Sequence, residues 1–219
     1  MKVHNLGSKN SVFNEFIAEI RDASIQQDPL RFRNNFERIG QLFAYEISKV
    51  LEYESREVIA SLGTTEIMLL KRQPVLATIL RAGLPLHNGL MSYFDRAPSG
   101  FVSAYRKVYK DGNFNIHVEY CSSPNLNDEV LILSDAMLAT GSSMLLCYKD
   151  LLTNGKPAHT HIVSIIASVE GVEFLKKNMA SSEVTLWIGA LDDELTAQSY
   201  IVPGLGDAGD LAFGTKDHS

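Results

Sequence analysis

From about residue 66 to residue 188, short apolar runs alternate with amphipathic stretches, and this alternation leaves few architectures open. Residues 66–70, 75–80, 100–106, 114–119, 130–133, 160–167 and 184–188 read as strands. Residues 83–94, 142–152 and 171–178 read as helices, the second with Met144, Cys147, Tyr148 and Leu151 on one face. Strands that alternate with helices predict an α/β fold: a mostly parallel central sheet with flanking helices. The wholly apolar run 130–133 fits a parallel strand buried on both faces. Asp111-Gly112 is a hairpin signal between the strands at 100–106 and 114–119.

Two helical patterns precede the strands. Phe13, Phe16, Ile17 and Ile20 keep helical spacing, as do Phe32, Phe36, Ile39, Phe43, Ile47 and Val50. Asp28-Pro29 is a helix start, with Asp as cap and Pro in the first turn. Residues 1–60 are therefore expected to form a helical N-terminal arm or cover. Residues 191–219 read as a loop dense in Gly and Asp, and the whole chain reads as one domain. Lys and Arg number 20 against 26 Asp and Glu, a net charge of −6, which argues against a general nucleic-acid binder. No apolar run spans a bilayer, and the N-terminus has no signal-peptide pattern, so no membrane partner is expected. Two cysteines, Cys121 and Cys147, fit reduced thiols and a cytoplasmic setting.

Ligands of open α/β sheets sit beyond the carboxyl ends of the strands, so the strand-to-helix junctions carry the most information. At 131–143 an apolar strand meets Asp135, then Ala136, Met137, Leu138, Ala139, Thr140, Gly141, Ser142 and Ser143 lead into a helix. Free N–H groups and the positive dipole end at that helix start make an anion site. Thr140, Ser142 and Ser143 add hydroxyl donors, and Gly141 lets a phosphate approach the backbone. Asp135 is an anion and suits sugar hydroxyls, so the pair points to a sugar phosphate. The plainer alternative is an ordinary helix cap with Asp135 in a turn. The P-loop spacing and its lysine are absent.

The segment resembles the PRPP-binding motif of the uracil phosphoribosyltransferase family, D-P-M-L-A-T-G-G-S, with Ala136 for Pro and Ser142 for the second Gly. A second resemblance lies at Tyr200-Ile201-Val202-Pro203-Gly204-Leu205-Gly206-Asp207-Ala208-Gly209-Asp210, followed by Phe213-Gly214-Thr215, which is similar to that family's uracil-binding C-terminus. Its literal G-x-G-x-x-G is not a dinucleotide fingerprint, because the βαβ unit and later acid that fingerprint needs do not follow. A glycine-rich loop offers backbone N–H and C=O groups to a small planar ligand such as uracil. Leu211 stands where the family carries a basic residue. Ile79-Leu80-Arg81-Ala82-Gly83 is similar to the family's pyrophosphate loop, and Tyr105-Arg106 precedes its flexible hairpin, with Lys107 and Lys110 completing a basic cluster. Pro85, Asn88 and the segment 119–124 depart from the pattern.

The resemblance implies a type I phosphoribosyltransferase fold with a C-terminal base-binding loop. It implies transfer of the phosphoribosyl group of PRPP to uracil, giving UMP and pyrophosphate, with Mg²⁺ bound through PRPP. It implies catalytic roles for Asp135, Arg81, Arg106 and Asp207. PRPP would meet Arg81, Arg106, residues 135–143 and Asp207, and uracil would meet Ile201, Gly206, Asp207 and Ala208. A homo-oligomer, dimer or larger, is expected, and GTP is open as an effector. Two rivals are a regulatory relative that binds without turnover and a transferase for another base.

Other groups carry less. His159 and His161 share a strand face but lack further metal ligands. His87 has no evident partner, and nothing in the sequence activates Cys121 or Cys147. Trp187 and Tyr200 are expected in the core, and Asp192, Asp193 and Glu194 read as a solvated acidic turn.

Overall fold

The computed structural model describes residues 1–108, 114–179 and 182–215, with the side chains of 104–108 and 114–118 left aside. Its strands are β1 (Lys2–Asn5), β2 (Tyr53–Ala60), β3 (Gly63–Leu70), β4 (Val75–Leu80), β5 (Ser99–Val108), β6 (Phe114–Ser122), β7 (Val130–Leu138), β8 (His159–Ser168), β9 (Val184–Asp192), β10 (Glu194–Leu195) and β11 (Ile201–Val202). Its helices are α1 (Val12–Arg21), α2 (Pro29–Ser48), α3 (Leu84–Met91), α4 (Ser142–Leu151), α5 (Val169–Asn178) and α6 (Ala208–Phe213). A seven-stranded sheet runs in the order β1-β9-β8-β7-β4-β5-β6. Every pairing in it is parallel except β5 with β6, so the expected mostly parallel sheet is what forms.

Period-two alternation divides the strand side chains between two cores. Leu76 and Ile132 face a cluster built with α1, α2, α3 and α6, including Phe13, Phe36, Phe43 and Leu86. Val75, Ala77, Leu131 and Leu133 face the opposite cluster, with Met144, Cys147 and Leu151 of α4 and Leu175 of α5. Both faces of the sheet are covered, which is why 130–133 carries no polar side chain. In α2 the Asp28 carboxylate accepts from Leu30 N at 2.9 Å and from Arg31 N at 3.2 Å, with Pro29 in the first turn. Phe32, Phe36, Ile39, Phe43 and Ile47 of that helix are buried, while Val50 lies past its end and is exposed.

Four features depart from the sequence expectation. The N-terminus adds strand β1, parallel to β9 with Lys2 opposite Thr185, a pairing across nearly the whole chain that local pattern does not encode. Residues 53–60 belong to an antiparallel hairpin, β2 with β3, and not to a helical arm. Nearly all of this hairpin's side chains are exposed, so no core-facing stripe marked its first strand. The C-terminal stretch carries β10, β11 and α6, elements too short to show a period. Strand β7 continues to Leu138, well past the expected end at 133. No helix among the described residues is long and apolar enough to cross a membrane. The expected hairpin turn at Asp111-Gly112 and Lys110 lie outside the described residues.

Candidate active site

Strand β4 connects through α3 to β5 on one side, and β7 through α4 to β8 on the other. The two strands are neighbours, so the topological switch point lies between them, and in open α/β sheets ligands bind beyond the carboxyl ends at such a point. Pairing of β4 with β7 reaches Thr78 opposite Ser134, while β7 keeps pairing with β8 as far as Leu138 opposite Ala167. Arg81 follows directly on β4, and Asp135 to Ser143 carry β7 into α4.

Asp135, Ala136, Met137 and Leu138 were expected in a loop but belong to β7. The strand continues because Ala136 and Leu138 bury their side chains in the core, which sustains the ladder beyond the first charged residue. Any contact these two make with a ligand is therefore through the backbone, while Asp135 and Met137 stay partly accessible. Only residues 139–141 bridge β7 to α4. Ser168 Oγ donates to Ala139 O at 2.6 Å and accepts from Gly171 N at 2.8 Å, so the β8–α5 junction braces this bridge. Gly141 caps α4 with φ +80°, where a side chain would be strained and would press on Phe174. Thr140 Oγ1 accepts from Ser142 N at a long 3.4 Å, so the first-turn amides of α4 keep donor capacity. The Asp135 carboxylate accepts from Ala136 N at 2.7 Å, and burial raises its pKa from 3.8 to about 7 against the opposing pull of backbone amides. A group so placed gains from hydroxyl donors that replace lost water.

The C-terminal loop reaches the same end of the sheet by a different construction. Arg21 of α1 holds Asp192, the last residue of β9, through a bidentate pair at 2.7 and 2.8 Å. Between them they grip Gly204: its N–H donates to Asp192 Oδ2 at 2.9 Å, and its carbonyl accepts from Arg21 Nη1 at 2.9 Å. Gly204 has φ +55°, and a Cβ there would strike the Ile201 carbonyl. Asp192 is thus buried at 7% exposure and not part of a solvated turn. The Gln26 amide, turned to donate, reaches Leu205 O at 2.9 Å and Ile20 O at 3.0 Å. Arg33 Nη1 donates to Ala212 O at 2.7 Å, closing the end of α6. Asp207 caps α6, accepting from Asp210 N at 3.0 Å. Ile201 is buried in β11, and Tyr200, expected in the core, is 49% exposed. Gly206 and Asp207, with Gln26, Gln27 and Leu211, line a cavity of about 400 Å³.

Arg81 joins the two constructions. Its Nη2 lies 3.0 Å from Asp210 Oδ1, and both Nη1 and Nη2 reach Gly214 O at 3.3 Å. The structure thus joins the turn after β4 to the C-terminal segment, at the end of the sheet where β7 runs into α4. Arg106 lies in β5 opposite Ile116, and its side chain is outside the description, as are those of Tyr105 and Lys107. Arg21, Gln26 and Arg33 had no signal in the sequence, since each acts on a segment far away along the chain, and Asp192 read there only as part of an acidic turn.

The remaining candidates are structural. A larger cavity, about 640 Å³, lies at the opposite, amino ends of the strands and is lined by His4, His159, His161 and Trp187. Its polar rings partner one another: Trp187 Nε1 donates to His161 Nδ1 at 3.1 Å, and His4 stacks on Trp187 at 4.0 Å. Burial holds His161 neutral, with its pKa at about 3. His87, far from lacking a partner, is fully buried with Nε2 at 3.2 Å from Ser99 Oγ. Burial raises the Cys121 and Cys147 thiols to about 11 and about 12, which keeps both unreactive near neutrality. Among the described residues no group of three His, Cys, Asp or Glu could hold a metal ion.

The family profile described as uracil phosphoribosyltransferase matches residues 8–215. The uracil phosphoribosyltransferase of Porphyromonas gingivalis is 55% identical over 99% of this chain and 100% of its own length. That of Pyrococcus furiosus is 36% identical over 91% of this chain and 85% of its own. A protein of Aquifex aeolicus with a solved structure superposes with TM-score 0.85 at 26% identity, covering 99% of this chain and all of that one, 100%.

Proposed function

The chain belongs to the uracil phosphoribosyltransferase family, and from that premise we propose that it joins uracil to the phosphoribosyl group of PRPP, releasing pyrophosphate and yielding UMP for pyrimidine salvage. The observation that carries this reading is the contact of Arg81, at the end of β4, with Asp210 and Gly214 of the C-terminal segment, at the same end of the sheet where β7 carries Asp135 into the start of α4. The first turn of α4, with Thr140, Gly141, Ser142 and Ser143, holds the 5-phosphate. Asp135 accepts from the ribose hydroxyls, fixing C1 of the sugar. As the bond to pyrophosphate lengthens, C1 becomes oxocarbenium-like, and Arg81 and Arg106 stabilise the charge gathering on the leaving group. The backbone at Gly206 to Ala208, beside Ile201, presents N1 of uracil to C1. Neither cysteine serves as a covalent nucleophile, since both are held as neutral thiols.

Magnesium fits this chain only as a guest of the substrate. With no cluster of ligating side chains among the described residues, a Mg²⁺ ion would ride on the diphosphate oxygens, and Asp207 would hold its waters. When bound, it supplies charge neutralisation of the departing pyrophosphate.

A homo-oligomer fits the β2–β3 hairpin. A lone two-stranded ribbon is marginal in water, and this one exposes Ile59, Leu62, Ile67 and Met68. A second copy of the chain is the partner proposed to cover it. The free thiols Cys121 and Cys147 agree with a cytoplasmic setting.

The decisive experiment is pyrophosphate release with PRPP, MgCl₂ and a panel of uracil, cytosine, xanthine, hypoxanthine and adenine, with and without GTP as activator. Release dependent on uracil, with UMP formed, is the expected result. Release with another base alone would redirect the assignment, and binding without release with any base would make the chain a non-catalytic relative.

A further inference from the structure

Arg81 is already engaged. Its Nη2 meets the Asp210 carboxylate at 3.0 Å, and both terminal nitrogens share the Gly214 carbonyl at 3.3 Å. Its Nε–H is buried with no partner. Both acceptors belong to α6 or the residue that ends it, the segment continuing from the base-side loop. A carboxylate and a phosphate seek the same guanidinium edge, because both offer paired oxygens to its fork. They cannot both take the Nη2 donor now directed at Asp210.

We propose that Asp210 is a competing acceptor that keeps Arg81 turned toward the base-side segment until a diphosphate-bearing ligand takes its place. The inference rests on the assignment of Arg81 to the pyrophosphate side made above. The exchange is easy on physical grounds. Arg81 and Asp210 are each 34% exposed, and ion pairs open to solvent are weak. A diphosphate brings more charge and more acceptor oxygens than one carboxylate. Helix α6 does not need the pair in order to stay folded: Ala208 and Ala212 are buried, Asp207 caps it, and Arg33 holds the Ala212 carbonyl. What the exchange releases is the Asp210 side chain and the Gly214 end. Occupancy of the pyrophosphate side is thereby felt by the segment that carries the base loop.

The test is calorimetric titration of the full chain with inorganic pyrophosphate and MgCl₂. Asp210→Asn keeps the backbone bonds Asp210 makes to Asp207 and Gly214, and removes the competing charge. It should bind pyrophosphate at least about threefold more tightly than the parent, the gain expected from losing a weak exposed pair. In an Arg81→Ala background the same substitution should change affinity by less than about 1.5-fold, since there is no guanidinium left to free. Asp210→Ser repeats the test with a different side chain, and thermal melts establish that each variant is folded. Unchanged or weaker binding by both folded variants overturns the proposal, and so does an equal gain in the Arg81→Ala background. A parent chain that binds no pyrophosphate would instead overturn the assignment of Arg81 itself, and the competition with it.

Discussion

The β7–α4 junction, proposed to hold the phosphate, and the C-terminal loop, proposed to hold the base, lie at one end of the sheet but are stabilised in different ways. Residues 135–143 form the end of one buried strand and the start of the next helix, so their shape follows from the secondary structure around them. The loop at 201–207 has only the two-residue strand β11 and is held by side chains from elsewhere: Arg21, Asp192 and Gln26, with Arg81 gripping the α6 segment that follows it. A half-site made of regular structure is rigid wherever the core is intact. A half-site made of tethers is only as firm as its most buried tether, and here that is Asp192.

The comparison breaks most readily at that tether. Asp192→Ala leaves Arg21 without its partner and the Gly204 N–H unsatisfied, and should cost ~3 kcal/mol, the range for removing one member of a buried pair. Urea denaturation of the variant measures the loss. Uracil-dependent turnover should fall, whereas pyrophosphate binding in calorimetry should persist. Equal damage to both would mean the two half-sites are one mechanical unit.

On the phosphate side, Asp135→Asn should lower kcat/KM roughly hundredfold, on the scale of a lost transition-state contact. Steady-state kinetics in PRPP reads this directly. Its pH dependence sharpens the point. Because the folded pKa of about 7 lies above the unfolded 3.8, ionisation opposes folding, so stability should decline as pH rises from about 4 to 7. The melting temperature of Asp135→Asn relative to the parent, measured across that range, should therefore climb with pH. A flat difference would mean that the Asp135 carboxylate is not raised by its surroundings.

Smaller effects follow. Arg106→Ala should weaken PRPP binding about tenfold in calorimetry, with the fold unaffected, as expected of one charge-assisted phosphate contact. Ser142→Gly should leave kcat/KM within about twofold, because the anion contact at a helix start comes from backbone amides that either residue supplies. A large loss there would assign the Ser142 hydroxyl a role that the backbone does not share.

Much of this was legible in the chain itself. Parallel strands buried on both faces read as unbroken apolar runs, and 130–133 carried that mark. The Asp28 cap and the Phe32, Phe36, Ile39, Phe43 stripe located α2 before any fold was known. The illegible parts share a cause. Strand β1 exists only because β9 offers it an edge, the β2–β3 hairpin packs on the core at Leu70 alone and so shows no core-facing period, and β7 ran past Asp135 because burial of Ala136 and Leu138 outweighed the charge that precedes them. Tyr200 went the other way, exposed where its aromatic ring suggested the core.

By itself the sequence determined the layered α/β scaffold and the kinship its motifs carry, and it pointed to a sugar phosphate at the β7–α4 junction, because each reading depends on neighbours within a few residues. Only the tertiary structure decided that Asp192 is a buried anchor and that Arg81 already holds an acidic partner. Ion pairs and carbonyl contacts between residues more than a hundred positions apart leave no periodic trace, and they come into being only when the fold brings their elements to a common end of the sheet.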